Sequence, residues 1–182
     1  MQFESKKSNG GYTLFEALTI VAILGILSAI AAPSWLAFLS RQRLNVAQAE
    51  ALSIMRDAQA NAKREKRVWE ACFRQNQPEK KVEWSVHPMI DSAGEMCANA
   101  RWQDLIGSDA NKIEIDSSLS TPRSSSKVYR VRFNHKGRVH GLLGKVTFMT
   151  ANSRNNSARR CVLISTLLGV LRTDRDRGCN GD

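Results

Sequence analysis

Histidine is scarce in this 182-residue chain. The three residues, His87, His135 and His140, stand in no spacing that suits a metal site or a nucleophile–base pair. H-E-x-x-H, G-x-S-x-G and a phosphate-cradling glycine loop are all absent. Without them the chain reads as a non-enzyme, with no cofactor and no metal. Cysteine is sparse as well. The four residues, Cys72, Cys97, Cys161 and Cys179, include no C-x-x-C pair, which argues against a zinc site. No internal repeat is visible, so a solenoid is excluded. The largest absence is of charge. From Ala17 to Leu39 there is no Asp, Glu, Lys or Arg, a run of 23 residues, and a helix needs about 20 apolar residues to cross a bilayer.

What stands around that run is specific. Lys6 and Lys7 precede it, then Gly10-Gly11-Tyr12-Thr13-Leu14-Phe15-Glu16. Glu16 is a carboxylate at the mouth of an apolar span. A charge within lipid costs roughly 2.5–3.5 kcal/mol on insertion scales and marks a function with a partner. A basic leader, a small residue, an aromatic, Thr-Leu, Glu and a long apolar helix resemble the N-terminus of a type IV prepilin or type II secretion pseudopilin. The resemblance implies that Gly11 precedes the processing site and that Tyr12, where Phe is usual, is the first mature residue. It further implies that Glu16 acts in filament assembly and that Pro33 kinks the helix. Cleavage after Gly11 creates an α-amine four residues before Glu16. In a staggered stack, the amine of one subunit can meet Glu16 of the next and neutralise two charges otherwise stranded in lipid. Two plainer readings compete. One is a simple anchor whose Glu16 snorkels to the headgroups. The other is a secretory signal cut near Ala29-Ile30-Ala31, although Glu16 interrupts its core and the apolar run continues through Trp35, Leu36 and Phe38.

The formal charge is +10 and the pI about 9.9, a balance that favours anionic partners such as nucleic acid or lipid headgroups. Lys6 and Lys7 argue for a cytoplasmic leader, while Arg41 and Arg43 beyond the run compete with them. The resemblance resolves the conflict. It implies a single-pass inner-membrane protein with its C-terminal domain in the periplasm, and a filament after assembly. In that oxidising compartment the four cysteines allow three pairings. The expectation is sequential, Cys72–Cys97 and Cys161–Cys179, each worth about 2–4 kcal/mol, with free buried thiols as the alternative.

Beyond the apolar run, Leu44, Ala47, Ala51, Met55, Ala58 and Ala62 recur every three or four residues, one stripe of a continuing helix. The small residues let a sheet pack closely. Lys63 to Arg67 closes the helix, with cations suited to the negative end of its dipole. From Val68 the period changes to two. Val82–Val86, Ile113–Ile115, Tyr129–Phe133, Val146–Phe148, Cys161–Ile164 and Leu168–Leu171 are short, β-branched or aromatic runs. Turns are expected at Gln75–Pro78, Asn134–Gly137 and Ala151–Ser157. The fold class is α+β and pilin-like: one long helix, half in the membrane and half amphipathic, packed on an antiparallel sheet domain of six or seven strands. The boundaries are a leader at 1–11, a transmembrane half-helix at 12–40 and a domain at 41–182.

The order of these strands, together with Trp102, Gly107 and Gly137, resembles the GspH/FimT branch of minor pilins and pseudopilins. In that branch a Gly-Arg-x-Arg segment is associated with DNA binding. Here the matching residues are Gly169, Val170, Leu171 and Arg172, so one of the two arginines is kept. Candidate DNA-binding residues are Arg159, Arg160, Arg172, Arg175 and Arg177. Arg130, Arg132, Lys136, Arg138 and Arg154 would extend a phosphate-tracking stripe if they converge with them. The resemblance implies a minor pilin or pseudopilin in, or priming, a type IV pilus or type II secretion pseudopilus. It would serve pilus biogenesis or protein secretion. Its partners would be other pilins through the N-terminal helix, the prepilin peptidase and the inner membrane. Two alternatives stand: a DNA-binding minor pilin for natural transformation, and a membrane-anchored periplasmic domain unrelated to filaments.

Overall fold

The structure is a computed structural model, and it describes residues 11, 13–89, 97, 100–121, 127–151 and 158–180. The leader with Lys6 and Lys7, Tyr12, the Arg123–Ser126 loop, Arg154 and most of the expected turn at 151–157 lie outside the described residues. The chain divides into two compact units, Met1–Leu39 and Ser40–Asp182. Helix α1, Leu14–Glu65, supplies residues to both.

In the first unit the helix is apolar on all sides. Val21, Ile23, Leu24, Ile26, Leu27 and Ile30 are all exposed, so no face is covered by the chain itself. A helix of this hydropathy and length can cross a membrane. Helical assignment continues through Pro33, which has no N–H to donate to the Ala29 carbonyl.

In the second unit α1 lies in the core. Leu44, Ala47, Ala51, Ile54, Met55, Ala58 and Ala62 are buried, the expected stripe with Ile54 added. Eight strands follow among the described residues: β1 (Trp69–Asn76), β2 (Lys81–Pro88), β3 (Gln103–Asp104), β4 (Ile113–Ile115), β5 (Val128–Phe133), β6 (Lys145–Thr150), β7 (Arg159–Ile164) and β8 (Leu171–Arg175). They form two antiparallel sheets, ordered β3-β2-β1-β5 and β4-β6-β7-β8. One core joins the helix stripe to Ala71, Phe73, Val131 and Phe133 of the first sheet and Val146, Phe148, Val162 and Ile164 of the second. Phe73 meets Phe148 edge-on at 6.4 Å, linking the sheets.

The departures from the sequence reading have local causes. β3 spans two residues, too few to show a period. β1 does not alternate, because Glu70 to Phe73 are all buried. Cys72 is covered by Cys97, Ala100 and Trp102 on one side, while Ala71 and Phe73 enter the main core. The first turn comes at Gln77–Lys80 rather than Gln75–Pro78, since Gln75 and Asn76 still pair with Val82 and Lys81. The last strand begins at Leu171 rather than Leu168. Gly169 has φ +85°, and Gly169 N donates to Thr166 O (3.0 Å) while Ser165 N donates to Val170 O (2.9 Å). Leu167 and Leu168 therefore lie in the β7–β8 turn.

Candidate functional site

At the start of α1 the backbone N–H of Glu16 donates to Thr13 Oγ1 at 3.2 Å. Thr13 thus acts as the N-cap, and Thr13-x-x-Glu16 has the spacing of a capping box. Glu16 is exposed in the first turn, where the helix dipole favours a negative charge. Gly11 is also exposed, and a Cβ added there would meet nothing within 4 Å. Folding of this chain therefore sets no requirement for a small residue at Gly11.

The arginines of the second sheet do gather. A cavity of about 610 Å³ is lined by Arg159 and Arg160 of β7, Arg175 of β8, Asp176 and Arg177 of the following 3-10 turn, and Arg41 of α1. Two of these guanidiniums are held in place. Arg159 Nε donates to Asp116 Oδ2 at 3.0 Å. Arg160 Nε donates to Asn45 Oδ1 at 2.7 Å, and its Nη1 lies 3.4 Å from Asp176 Oδ1. Burial alone would raise the Asp116 carboxyl, but hydrogen bonds from Ser118 and Arg159 hold it below its ordinary value. Arg41, Arg175 and Arg177 are exposed and pair with no carboxylate among the described residues. Arg160 stands directly opposite Arg175 in the ladder, a like-charge pairing that costs stability unless an anion offsets it. The Cys161–Cys179 disulfide fastens the turn carrying Arg177 to β7.

Arg172 does not join this group. Residues 172 and 175 project from opposite faces of β8, and Arg172 Nη2 lies 3.8 Å from Asp174 Oδ2 instead. Val170, at the position of the other family arginine, is half exposed beside exposed Leu167 and Leu168. Arg130 and Arg132 belong to the other sheet, so the stripe of all the arginines does not form. Arg41 was not foreseen as a member of the cavity, because more than a hundred residues of chain separate it from Arg159.

A second polar cluster lies on the first sheet. Glu70 pairs with His87 and Cys72 with Ser85 across β1 and β2. His87 Nδ1 lies 3.5 Å and Arg130 Nη1 3.7 Å from the Glu70 carboxylate. Glu70 is buried, and its Oε2 accepts no hydrogen bond. Burial therefore raises its carboxyl above the ordinary value, against the pull of His87, Arg130 and Arg132. Glu70, Cys72, His87 and Cys97 bring four possible ligand atoms within 4.8 Å of one another, but Cys72 and Cys97 are bonded to each other and offer no thiolate. His135 and His140 are exposed in the β5–β6 connection.

Two glutamines of α1 stitch the helix to the second sheet. Gln48 Nε2 donates to Cys161 O (2.8 Å) and Asp174 O (2.7 Å). Gln59 Nε2 donates to Gly137 O (2.7 Å) and Gly169 O (3.0 Å). A Cβ at Gly169 would collide with the Gly137 carbonyl oxygen, so glycine is needed there for space as well as for its positive φ.

This arrangement of helix and sheets has a precedent. The crystal structure of the type IV minor pilin FimU of Pseudomonas aeruginosa superposes with a TM-score of 0.52 at 16% identity, covering 78% of this chain and 98% of that one. The fold is that of a type IV pilin. A second crystal form of the same minor pilin gives a TM-score of 0.48 at 15% identity, over 75% of this chain and 99% of that one. No protein-family model and no curated protein sequence matches the chain. Both expected disulfides, Cys72–Cys97 and Cys161–Cys179, are formed in it.

Proposed function

We propose that this chain is a minor pilin or pseudopilin of the GspH/FimT kind. It is made as a prepilin in the inner membrane with its C-terminal domain in the periplasm, and it is cut between Gly11 and Tyr12 by a prepilin peptidase. It then joins or primes the filament of a type IV pilus or type II secretion pseudopilus. The observation that carries this reading is the double character of α1. Its first half exposes apolar side chains on every face behind a single carboxylate, Glu16, while its second half is the spine of a pilin-type domain. Such a surface calls for lipid, then for neighbouring helices. The new α-amine at Tyr12 of one subunit would pair with Glu16 of the next. The DNA-uptake alternative has less support, since Arg172 stands apart from the gathered arginines, 3.8 Å from Asp174, and Val170 sits in an apolar turn.

The test is mass spectrometry of the membrane-extracted protein from cells with an active prepilin peptidase. An N-terminus at methylated Tyr12 is expected, and an intact Met1 start would overturn the reading. Gly11→Val should fold normally yet stay uncut. Glu16→Gln should remain in the membrane fraction but enter filaments poorly, because a buried amine left without its counter-charge costs about 3–5 kcal/mol. Normal incorporation would remove Glu16 from the assembly mechanism.

A further inference from the structure

We propose that the arginine cavity beside Arg41 binds the phosphate of an anionic phospholipid headgroup, in the leaflet that α1 leaves at Leu39. The inference rests on the membrane anchorage proposed above and goes beyond it by assigning a ligand.

Three observations converge. The first is position. Arg41 follows Leu39, the end of the uncharged run, by two residues, a rise of about 3 Å along a helix. The polar layer on each side of a bilayer is roughly 5–7 Å thick, so a guanidinium at Arg41 lies within it. The second is charge. Five arginines line the cavity beside one lining carboxylate, Asp176, Asp116 offsets Arg159 alone from outside the lining, and Arg160 opposes Arg175 across the ladder. An anion relieves that repulsion. The third is preorganisation. Arg159 and Arg160 are fixed by Asp116, Asn45 and Asp176, whereas Arg41, Arg175 and Arg177 remain exposed at the rim. Planar guanidiniums match phosphate oxygens two at a time. A lipid phosphate beside Arg41 is held there by the bilayer itself, whereas inorganic phosphate or a DNA duplex must be recruited from solution.

The test uses the full chain in a neutral detergent and native mass spectrometry of retained ligands. Phosphatidylglycerol, phosphatidylcholine, inorganic phosphate and a short DNA duplex are titrated separately. Phosphatidylglycerol should bind more tightly than the other three. Each arginine near an anionic surface is worth about fivefold in affinity, so Arg41→Gln with Arg177→Gln should weaken phosphatidylglycerol about 25-fold. Phosphatidylcholine binding and the melting temperature should not change. Arg41→Lys with Arg177→Lys, which keeps the charge but loses the fork, should fall between. Equal binding of the two lipids, or a phosphatidylglycerol preference that survives the glutamine pair, would overturn the proposal. Inorganic phosphate binding as tightly as phosphatidylglycerol would make this a soluble-anion site. A duplex that binds tighter still, and is lost in the same variant, would make it a nucleic-acid site. Flotation with phosphatidylcholine vesicles checks the anchorage separately. A wild-type chain that does not float overturns the membrane reading itself, whatever the titrations give.

Discussion

Glu70 and Asp116 are both buried carboxyls with arginine neighbours, and their surroundings drive them in opposite directions. Glu70 lacks a hydrogen-bond donor on one oxygen, so burial wins and its value rises above 4.5. Its contribution is fully present below that ordinary value and is lost as pH rises through the folded one. Asp116 receives Ser118 and Arg159, and its value falls below 3.8. Its contribution is present above that value and is lost as pH falls through the lower folded one. Urea unfolding from about pH 3 to about pH 7 should separate them. Glu70→Gln should remove a decline in stability that wild type shows as pH rises above the ordinary glutamate range. Asp116→Asn should instead flatten the acid limb. If both variants track wild type at every pH, neither carboxyl is set by the contacts described here.

At the scale of elements, the small residues of α1 decide how closely the sheets approach it. Ala47, Ala51, Ala58 and Ala62 are wholly buried, and each leaves room for a facing aromatic or branched side chain. Gln48 and Gln59 fasten β7, β8 and their turn to the same helix. The C-terminal segment relies on its disulfide. Cys161 and Cys179 are 18 residues apart, and closing a loop of that size is worth about 3 kcal/mol in the unfolded chain. Cys161→Ser with Cys179→Ser should lower stability by about that amount. Hydrogen exchange should also rise at Asp176–Cys179, the turn after β8. A stability loss without faster exchange there would mean that the bridge does not hold the tail in place.

For the whole molecule, the division at Ser40 separates an apolar stretch of helix from a packed domain. The domain core lies entirely within Ser40–Asp182, while the exposed apolar side chains of α1 cluster before it. A chain beginning at Ser40 should therefore be monomeric without detergent and melt in one transition, within a few degrees of the full chain in detergent. Size-exclusion chromatography and circular dichroism check this. Aggregation or loss of the cooperative transition would show that residues before Ser40 belong to the folding unit.

The long helix was legible from residues alone, because an uncharged run and a three-four stripe each depend on one period along one chain. The α+β class followed from the change of period after Val68, and the sequential disulfides from an expectation that the fold bears out. Other features required residues distant in sequence to meet. β1 hid its period because Cys97, Ala100 and Trp102 cover Cys72 on its outer face. The turn at Gly169 resembled a strand because its leucines are apolar although exposed. The arginine cavity joins Arg41 to residues 159–177, and no local pattern carries such a pairing. Alternation along β8 then divides Arg172 from Arg175. Composition showed that this chain is basic; only the register of β7 on β8, and the helix beside them, decided which of its arginines share a site.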